Sequence, residues 1–298
     1  MTKKNILHMI SPQENVSPFD VNMACDAGYD VVIPYTSVNL TDVKSLVQDA
    51  IFSRSVSNAK KTAVFICGKD ASLALDMMDA AKRSMVPPFE ISVFPDPAGS
   101  FTTAAAMVAC TEKTLKDKFN TDFTDKNIII YGGKGIVGGI SAIMCAQNGA
   151  KCTIVGYDGI KNVQKKSEEY KNRYNVDIIP GDGSTDDLNS SFLHNADIIF
   201  CAARAGTQVI SKKQLSFAKN AMILADVNAV PPAGLEGVGL KDDDEKHECG
   251  ALSIGPLTSG DIKVKTQYKM FEKMCATDKA LYLNFDEALK TSREILNL

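Results

Sequence analysis

Several features that would point to a function are missing from this chain. Its 33 Lys and Arg are outnumbered by 36 Asp and Glu, giving a net charge of −3, so there is no basic footprint for nucleic acid. No apolar stretch approaches the roughly 20 residues that cross a bilayer. The opening segment MTKKNILHMISPQ turns polar too quickly for a secretory leader. These absences lead us to expect a soluble, cytoplasmic protein with neither nucleic acid nor membrane as a partner. Only three histidines occur, at His8, His194 and His247, and they lack metal-ligand spacing. No metal site is expected. There is no G-x-S-x-G segment or comparable nucleophile motif, which leaves hydrolysis without apparatus. The eight cysteines form no C-x-x-C pair, and most sit in apolar runs such as AVFICG and DIIFCAA. They read as small buried hydrophobes in a reducing compartment. The densest charged run, Lys241 to Glu248, reads as a solvated loop.

What is present centres on Asn127 to Gly159, NIIIYGGKGIVGGISAIMCAQNGAKCTIVGYDG. The apolar run Ile128 to Tyr131 enters a turn holding Gly133, Gly135 and Gly138 in G-x-G-x-x-G spacing. A helix-compatible segment follows, then a second apolar run, Thr153 to Val155, that leads to Asp158. Each part has a job in holding a dinucleotide. Gly133 permits a tight turn, Gly135 lets backbone approach a pyrophosphate, and Gly138 lets helix pack on strand. The helix N-terminus offers unpaired N–H groups to phosphate. Asp158, 20 residues beyond Gly138 (158 − 138), stands where a carboxylate accepts hydrogen bonds from the adenosine ribose. The pattern predicts NAD or NADP as cofactor.

The rest of the chain alternates in the same way. NILHMI, DVVIPY, KTAVFICG and FEISVFPD read as strands, separated by helices starting at Ser17–Pro18 and over LTDVKSLVQDAIFS and ASLALDMMDAAKRSM. Alternating strands and helices predict an α/β fold with parallel, helix-covered sheets. Thr102 to Phe119 reads as a long helix bridging two domains, with Ser100, Thr102 and Thr103 placed to cap it or to face a ligand. After Asp125 come VDIIPG, ADIIFCAARAG and AMILADVNAVPP as further strand ends, and Thr266 to Leu298 is mostly helical. We therefore expect a two-domain enzyme: residues 1–124, completed by 266–298, and a Rossmann-type domain over 125–265, with a cleft between them. Ligands of such sheets bind beyond the carboxyl ends of the strands. In the second domain these ends bring up Gly132–Gly138, Tyr157–Asp158, Cys201–Gly206 and Asp226–Pro232. Ala202 suits either a close-packed turn or a backbone lying against the nicotinamide ribose. Asn228 suits either a turn or an amide contact with a ligand.

FDVNMACDAGYDVV, SFTTAAAMVA, GGKGIVGGISA, LADVNAVPPAGLEGVG and GALSIG together resemble the NAD(P)-dependent methylene-tetrahydromethanopterin dehydrogenases, relatives of the methylene-tetrahydrofolate dehydrogenases. The resemblance spans nearly the whole chain in the same motif order. It implies a pterin-binding first domain, a cofactor-binding second domain, and hydride transfer that leaves a methenyl cation. Such chemistry needs no strong general base; the protein holds two rings together and excludes water. By resemblance, Gly133, Lys134, Gly135, Ile136, Val137 and Gly138 line the pyrophosphate, with Tyr157 and Asp158 at the ribose. Ala202, Ala203, Arg204 and Asn228 border the nicotinamide half. Asp20, Ser100, Thr102 and Thr103 face the pterin, with either Lys263 or Lys265 positioning it. A homo-oligomer, trimer or hexamer, is implied as well.

Members of the family specific for NADP carry Arg and Lys after the second strand's glycine, where this chain has Tyr157 and Asp158. A carboxylate there repels a 2′-phosphate, so NAD is the favoured cofactor, with Lys161 able to soften the preference. Tyr35 and Lys44 do not match the Tyr–Lys spacing of folate cyclohydrolases. Tetrahydromethanopterin and tetrahydrofolate remain alternative substrates at this point. The rival readings are another two-domain dehydrogenase of shikimate or amino-acid type, and a non-catalytic nucleotide sensor.

Overall fold

The computed structural model describes residues 4–298. Its first half alternates β1 (Ile6–Ile10), α1 (Pro18–Asp26), β2 (Val31–Tyr35), α2 (Val43–Phe52), α3 (Val56–Ala59), β3 (Thr62–Ile66), α4 (Ala71–Arg83), β4 (Ser92–Pro95) and α5 (Ser100–Phe119). These four strands form one parallel sheet in the order β2-β1-β3-β4. All five residues of β3 are buried, which explains why TAVFI shows no polar alternation: both sheet faces are covered. α4 follows the helical rule, burying Ala74, Leu75, Met77 and Ala81. Its N-cap, Asp70, accepts from the Leu73 N–H at 2.9 Å, and Lys82 and Arg83 sit in its last turn beside the negative dipole end.

The second half runs β5 (Asn127–Tyr131), α6 (Ile136–Gln147), β6 (Lys151–Gly156), α7 (Ile160–Tyr174), β7 (Ile178–Asp182), α8 (Asp186–Leu193), β8 (Ile198–Cys201), α9 (Lys212–Leu215), β9 (Ile223–Asp226), β10 (Asp243–Lys246), β11 (Leu252–Ile254), α10 (Pro256–Ala276) and α11 (Phe285–Leu296). The seven strands are ordered β10-β11-β9-β8-β5-β6-β7. All neighbours are parallel except β10 and β11. Strand order reverses beside β5, the position at which doubly wound sheets bind ligands.

Packing divides the chain into two compact units. One comprises the described residues up to Thr102 with Val264–Thr291; the other comprises Thr103–Lys263 with Ser292–Leu298. The chain therefore changes unit inside α5, α10 and α11 rather than in a linker. The first unit has an aromatic centre, in which Phe65, Phe94 and Phe271 lie 5.0–5.5 Å apart by ring centroid. Phe271 comes from α10, so the late helix supplies core to the early sheet. The segment around Tyr282 extends that sheet, with Val93 N–H bonded to Leu281 O at 2.8 Å and Leu283 N–H to Val93 O at 2.9 Å. The second unit buries Ile129, Tyr131, Leu193, Ile199, Leu215 and Leu224 in its main apolar cluster.

Two elements differ from the sequence reading. The charged run Lys241–Glu248 is not a loop: it contains β10, paired antiparallel with β11. Its side chains stay largely solvated, so the strand carries no apolar signal and is held by backbone pairing. The late helix begins at Pro256 rather than Thr266, because Pro suits a first helical turn. Cys67, Cys110, Cys145, Cys152 and Cys201 are buried as expected, whereas Cys25 is exposed and Cys249 and Cys275 are half-buried.

Candidate functional site

The glycine loop between β5 and α6 is shaped by close backbone contact. Gly132 turns the chain with φ +80°, and a Cβ there would overlap the Ala202 carbonyl oxygen. The tight turn therefore belongs to Gly132, one residue before the position the motif suggests. A Cβ on Gly133 would collide with the Ile154 side chain, and one on Gly138 would come within 2.6 Å of Gly132 O. The Gly135 N–H closes the turn on Gly132 O at 2.9 Å, and Gly139 N–H on Gly135 O at 2.9 Å starts α6. Tyr170, buried in α7, donates its hydroxyl to Gly133 O at 3.1 Å. The absence of a Cβ on Gly139 leaves room for that hydroxyl. Burial pushes the Tyr170 pKa well above its usual value, so it acts as a fixed donor.

Beside this loop lies a cleft of about 600 Å³. Of the predicted cofactor residues it gathers Lys134, Gly135, Tyr157, Ala202, Ala203 and Arg204. Gly133 and Gly138 are buried behind it, and Ile136 and Val137 are half-buried at the start of α6. Tyr131, Gly183, Asn189 and Thr207 also line the cleft and were not anticipated. Gly183, directly after β7, was the readable signal: a glycine at a strand end marks a close approach. Asp158 accepts from Lys134 Nζ and, at 3.0 Å, from Asn162 Nδ2. The Lys134 ammonium, more than any other group, holds the Asp158 carboxyl below the usual carboxylate range. The Tyr157 ring is 83% exposed, leaving its face available to a planar ligand.

A second cradle supports the loop after β8. Asn228 accepts from Gly206 N–H at 3.1 Å and Val230 N–H at 3.0 Å, and donates to Pro232 O at 2.8 Å. The amide thus ties two strand-end loops together and is 4% exposed. Asp226 anchors the same loop, accepting from Asn228 N–H at 2.8 Å and Leu235 N–H at 2.9 Å. Burial raises its pKa, opposed by these backbone donors.

In the first unit the strand ends gather buried polar groups. Asp20, 4% exposed in the first turn of α1, accepts from Gln267 Nε2 of α10 at 2.7 Å. Asp96, fully buried after β4, accepts from Phe101 N–H at 2.8 Å and Thr102 N–H at 3.3 Å. It also accepts from Thr102 Oγ1 at 2.7 Å. The cap of α5 is therefore Asp96, not the Ser100, Thr102 or Thr103 hydroxyl. A carboxylate offers two acceptor atoms to two N–H groups and a hydroxyl at once. Thr102 is buried with its hydroxyl turned to that carboxylate, Ser100 is buried, and Thr103 is half-buried. Burial first, then the charges of Asp20 and Asp96, push the Cys67 thiol far above its usual pKa, so Cys67 is inert packing. Lys263 and Lys265 both lie in α10, about 200° apart around the helix at 3.6 residues per turn. Lys263 shares the face of Gln267, four residues on; Lys265 does not. Among the described residues no group of three or more His, Cys, Asp or Glu is placed to hold a metal ion. Among the described residues no helix is long and apolar enough to cross a membrane.

The residues fit a dinucleotide on structural grounds: without side chains at Gly132, Gly133 and Gly138 the loop turns tightly against Ala202 and Ile154, which sets the N-terminus of α6 beside the cleft, where a helix end binds phosphate. Comparison with known proteins agrees. Residues 18–98 match the family described as methylene-tetrahydromethanopterin dehydrogenase, N-terminal. The chain is 45% identical to the NAD(P)-dependent methylenetetrahydromethanopterin dehydrogenase of Methylorubrum extorquens, covering 98% of this chain and 99% of that one. It is 26% identical to the bifunctional protein MdtA of the same organism, over 98% and 99% of the two chains. Among solved structures, the shikimate 5-dehydrogenase of Listeria monocytogenes shares the fold, with TM-score 0.52, 13% identity, and coverage of 98% and 96%. With its two largely parallel sheets, its glycine cradle and full-length identity of this order, the chain belongs to the NAD(P)-dependent methylene-tetrahydromethanopterin dehydrogenase family.

Proposed function

We propose that this protein catalyses reversible hydride transfer from methylene-tetrahydromethanopterin to NAD(P)+, giving methenyl-tetrahydromethanopterin, in one-carbon metabolism. The observation that carries this reading is the glycine cradle and its cleft within a chain of that family. The nicotinamide, when bound, supplies the hydride acceptor at its C4. The protein's own work is binding and orientation. The Gly132–Gly138 backbone presents N–H groups and the start of α6 to the pyrophosphate. Ala202 and Ala203, with no bulk beyond Cβ, leave room beside the nicotinamide ribose, and Asn228 fixes that loop through its three backbone bonds. Asp158 reads the adenosine ribose and favours NAD. Arg204 contributes a cation at the cleft wall.

On the pterin side we assign Asp20, Ser100 and Thr103, with Thr102 holding the start of α5 through Asp96. Of the two lysines, Lys263 is the better candidate, because it shares its helix face with Gln267, the partner of Asp20. Lys265 points elsewhere. A cation beside a forming methenyl cation is unfavourable, so the lysine positions the substrate rather than moving a proton. Residues 1–124 with 266–298 are assigned to the pterin and 125–265 to the cofactor. We assign the enzyme to the cytoplasm as a homo-oligomer, a trimer or hexamer.

Absorbance assays with methylene-tetrahydromethanopterin and methylene-tetrahydrofolate, each with NAD and NADP, test this reading. Turnover of the methanopterin substrate is expected. No turnover of either pterin with either cofactor would overturn it.

A further inference from the structure

The acid that ends the cofactor-binding βαβ unit is already engaged. One Asp158 oxygen accepts from Lys134 Nζ and the other from Asn162 Nδ2. Lys134 stands in the glycine loop itself, between Gly133 and Gly135, so the backbone that serves the pyrophosphate also fixes where this ammonium sits. Its stem crosses Gly156, where a Cβ would lie 3.2 Å from Lys134 Cε. Its ammonium is 5.5 Å from the centre of the Tyr157 ring. The Lys134 and Asp158 side chains are 26% and 34% exposed, so both stay open to a ligand.

We propose that Lys134 is the residue that admits a 2′-phosphate, and that the Lys134–Asp158 pair lets one ribose pocket take either NAD or NADP. The inference rests on reading the cleft as a dinucleotide site. A lone carboxylate accepts hydrogen bonds from a 2′-hydroxyl and repels a phosphate. Here the carboxylate carries its own counter-charge. With a 2′-hydroxyl, Asp158 accepts the ribose bond while keeping Lys134 on its other lone pairs. With a 2′-phosphate, the ammonium becomes a charge-assisted donor to it. Asp158 is then retained by Asn162, a contact that does not depend on the lysine. Lysine suits this double duty: a compact charge with three donors serves a carboxylate and a phosphate together.

Direct titration of NADH and NADPH by nicotinamide fluorescence, without pterin, tests the proposal on wild type, Lys134→Gln, Lys134→Arg and Asp158→Asn. In Lys134→Gln the NADPH Kd should rise about tenfold more than the NADH Kd, the loss of roughly one charge-assisted bond that only a 2′-phosphate makes. Lys134→Arg should retain NADPH, and Asp158→Asn should shift preference towards it. The NADH titration shows in the same sample that the cleft is folded. Equal weakening of both cofactors in Lys134→Gln, or no weakening of NADPH, overturns the assignment; the lysine would then serve the shared pyrophosphate or nothing. Failure of the wild type to bind either dinucleotide would instead sink the reading of the cleft itself, and the inference with it.

Discussion

The two sheets build their sites by different means. Around the seven-stranded sheet the cradle is made of backbone, and what matters is which side chains are missing: Gly132, Gly133, Gly138 and Gly139 leave space that the loop, Ile154 and Tyr170 occupy. Around the four-stranded sheet the strand ends carry buried side chains that hold one another, Asp96 with Thr102 and Asp20 with Gln267. The first design tolerates no added atoms. The second tolerates no lost partners, because a buried carboxylate stripped of its donors keeps the full cost of desolvation.

The sharpest way to break this contrast is Gly133→Ala. The added methyl would collide with Ile154, and overpacking costs about 1–3 kcal/mol. Near the upper end, that weakens NADH binding about a hundredfold, read by fluorescence titration; an unchanged Kd would mean that the loop is not a rigid cradle. Asp96→Ala should act on stability instead. It removes the cap of α5 and leaves two buried N–H groups without their acceptor, for an expected loss of about 2–4 kcal/mol in urea unfolding. Gln267→Leu, of similar volume, deprives Asp20 of one donor. We expect kcat/KM for the pterin to fall about tenfold, as for one bond to a charged group, with NADH affinity unmoved. Loss of NADH affinity would erase the division of labour.

The smallest effect is a pH dependence in the four-stranded sheet. Burial, and then the charge of Arg54, lower the His8 pKa below 6.5. The unfolded chain therefore takes up this proton first on acidification. The His8 contribution to stability is present above about pH 6.5 and is lost as pH falls through the lower folded value. The thermal midpoint should drop between pH 7 and pH 5, and His8→Gln should flatten part of that slope.

The same contrast explains what the sequence revealed. The glycine spacing, the strand before it and Asp158 after it all fall between Asn127 and Gly159, so the candidate cofactor cradle is legible as one local pattern. Even there the turn sits on Gly132 rather than Gly133, because φ is set by the approach of Ala202 from β8, far along the chain. The Asp20–Gln267 bond joins residues 247 positions apart, and no periodicity reports such a pair. Cap preferences favour Ser and Thr next to a helix start, so the sequence points to the hydroxyls at Ser100, Thr102 and Thr103 rather than to Asp96. The carboxylate reaches α5 across an intervening turn of 3-10 helix at Pro97–Gly99. Strand β10 carries no strand signal because Asp, Glu and Lys are depleted in strands, and this one is an edge strand held by backbone pairing with β11.

One contact constrains how this enzyme can be altered. The Tyr170 hydroxyl reaches Gly133 O from a helix 37 residues on, and does so only because Gly139 has no side chain in the way. Position 139 and position 170 are therefore a matched pair: enlarging the first evicts the second, and the loop loses its brace. Anyone transplanting GGKGIVGG into another scaffold would have to move the tyrosine with it, or the graft would carry the right letters in the wrong shape.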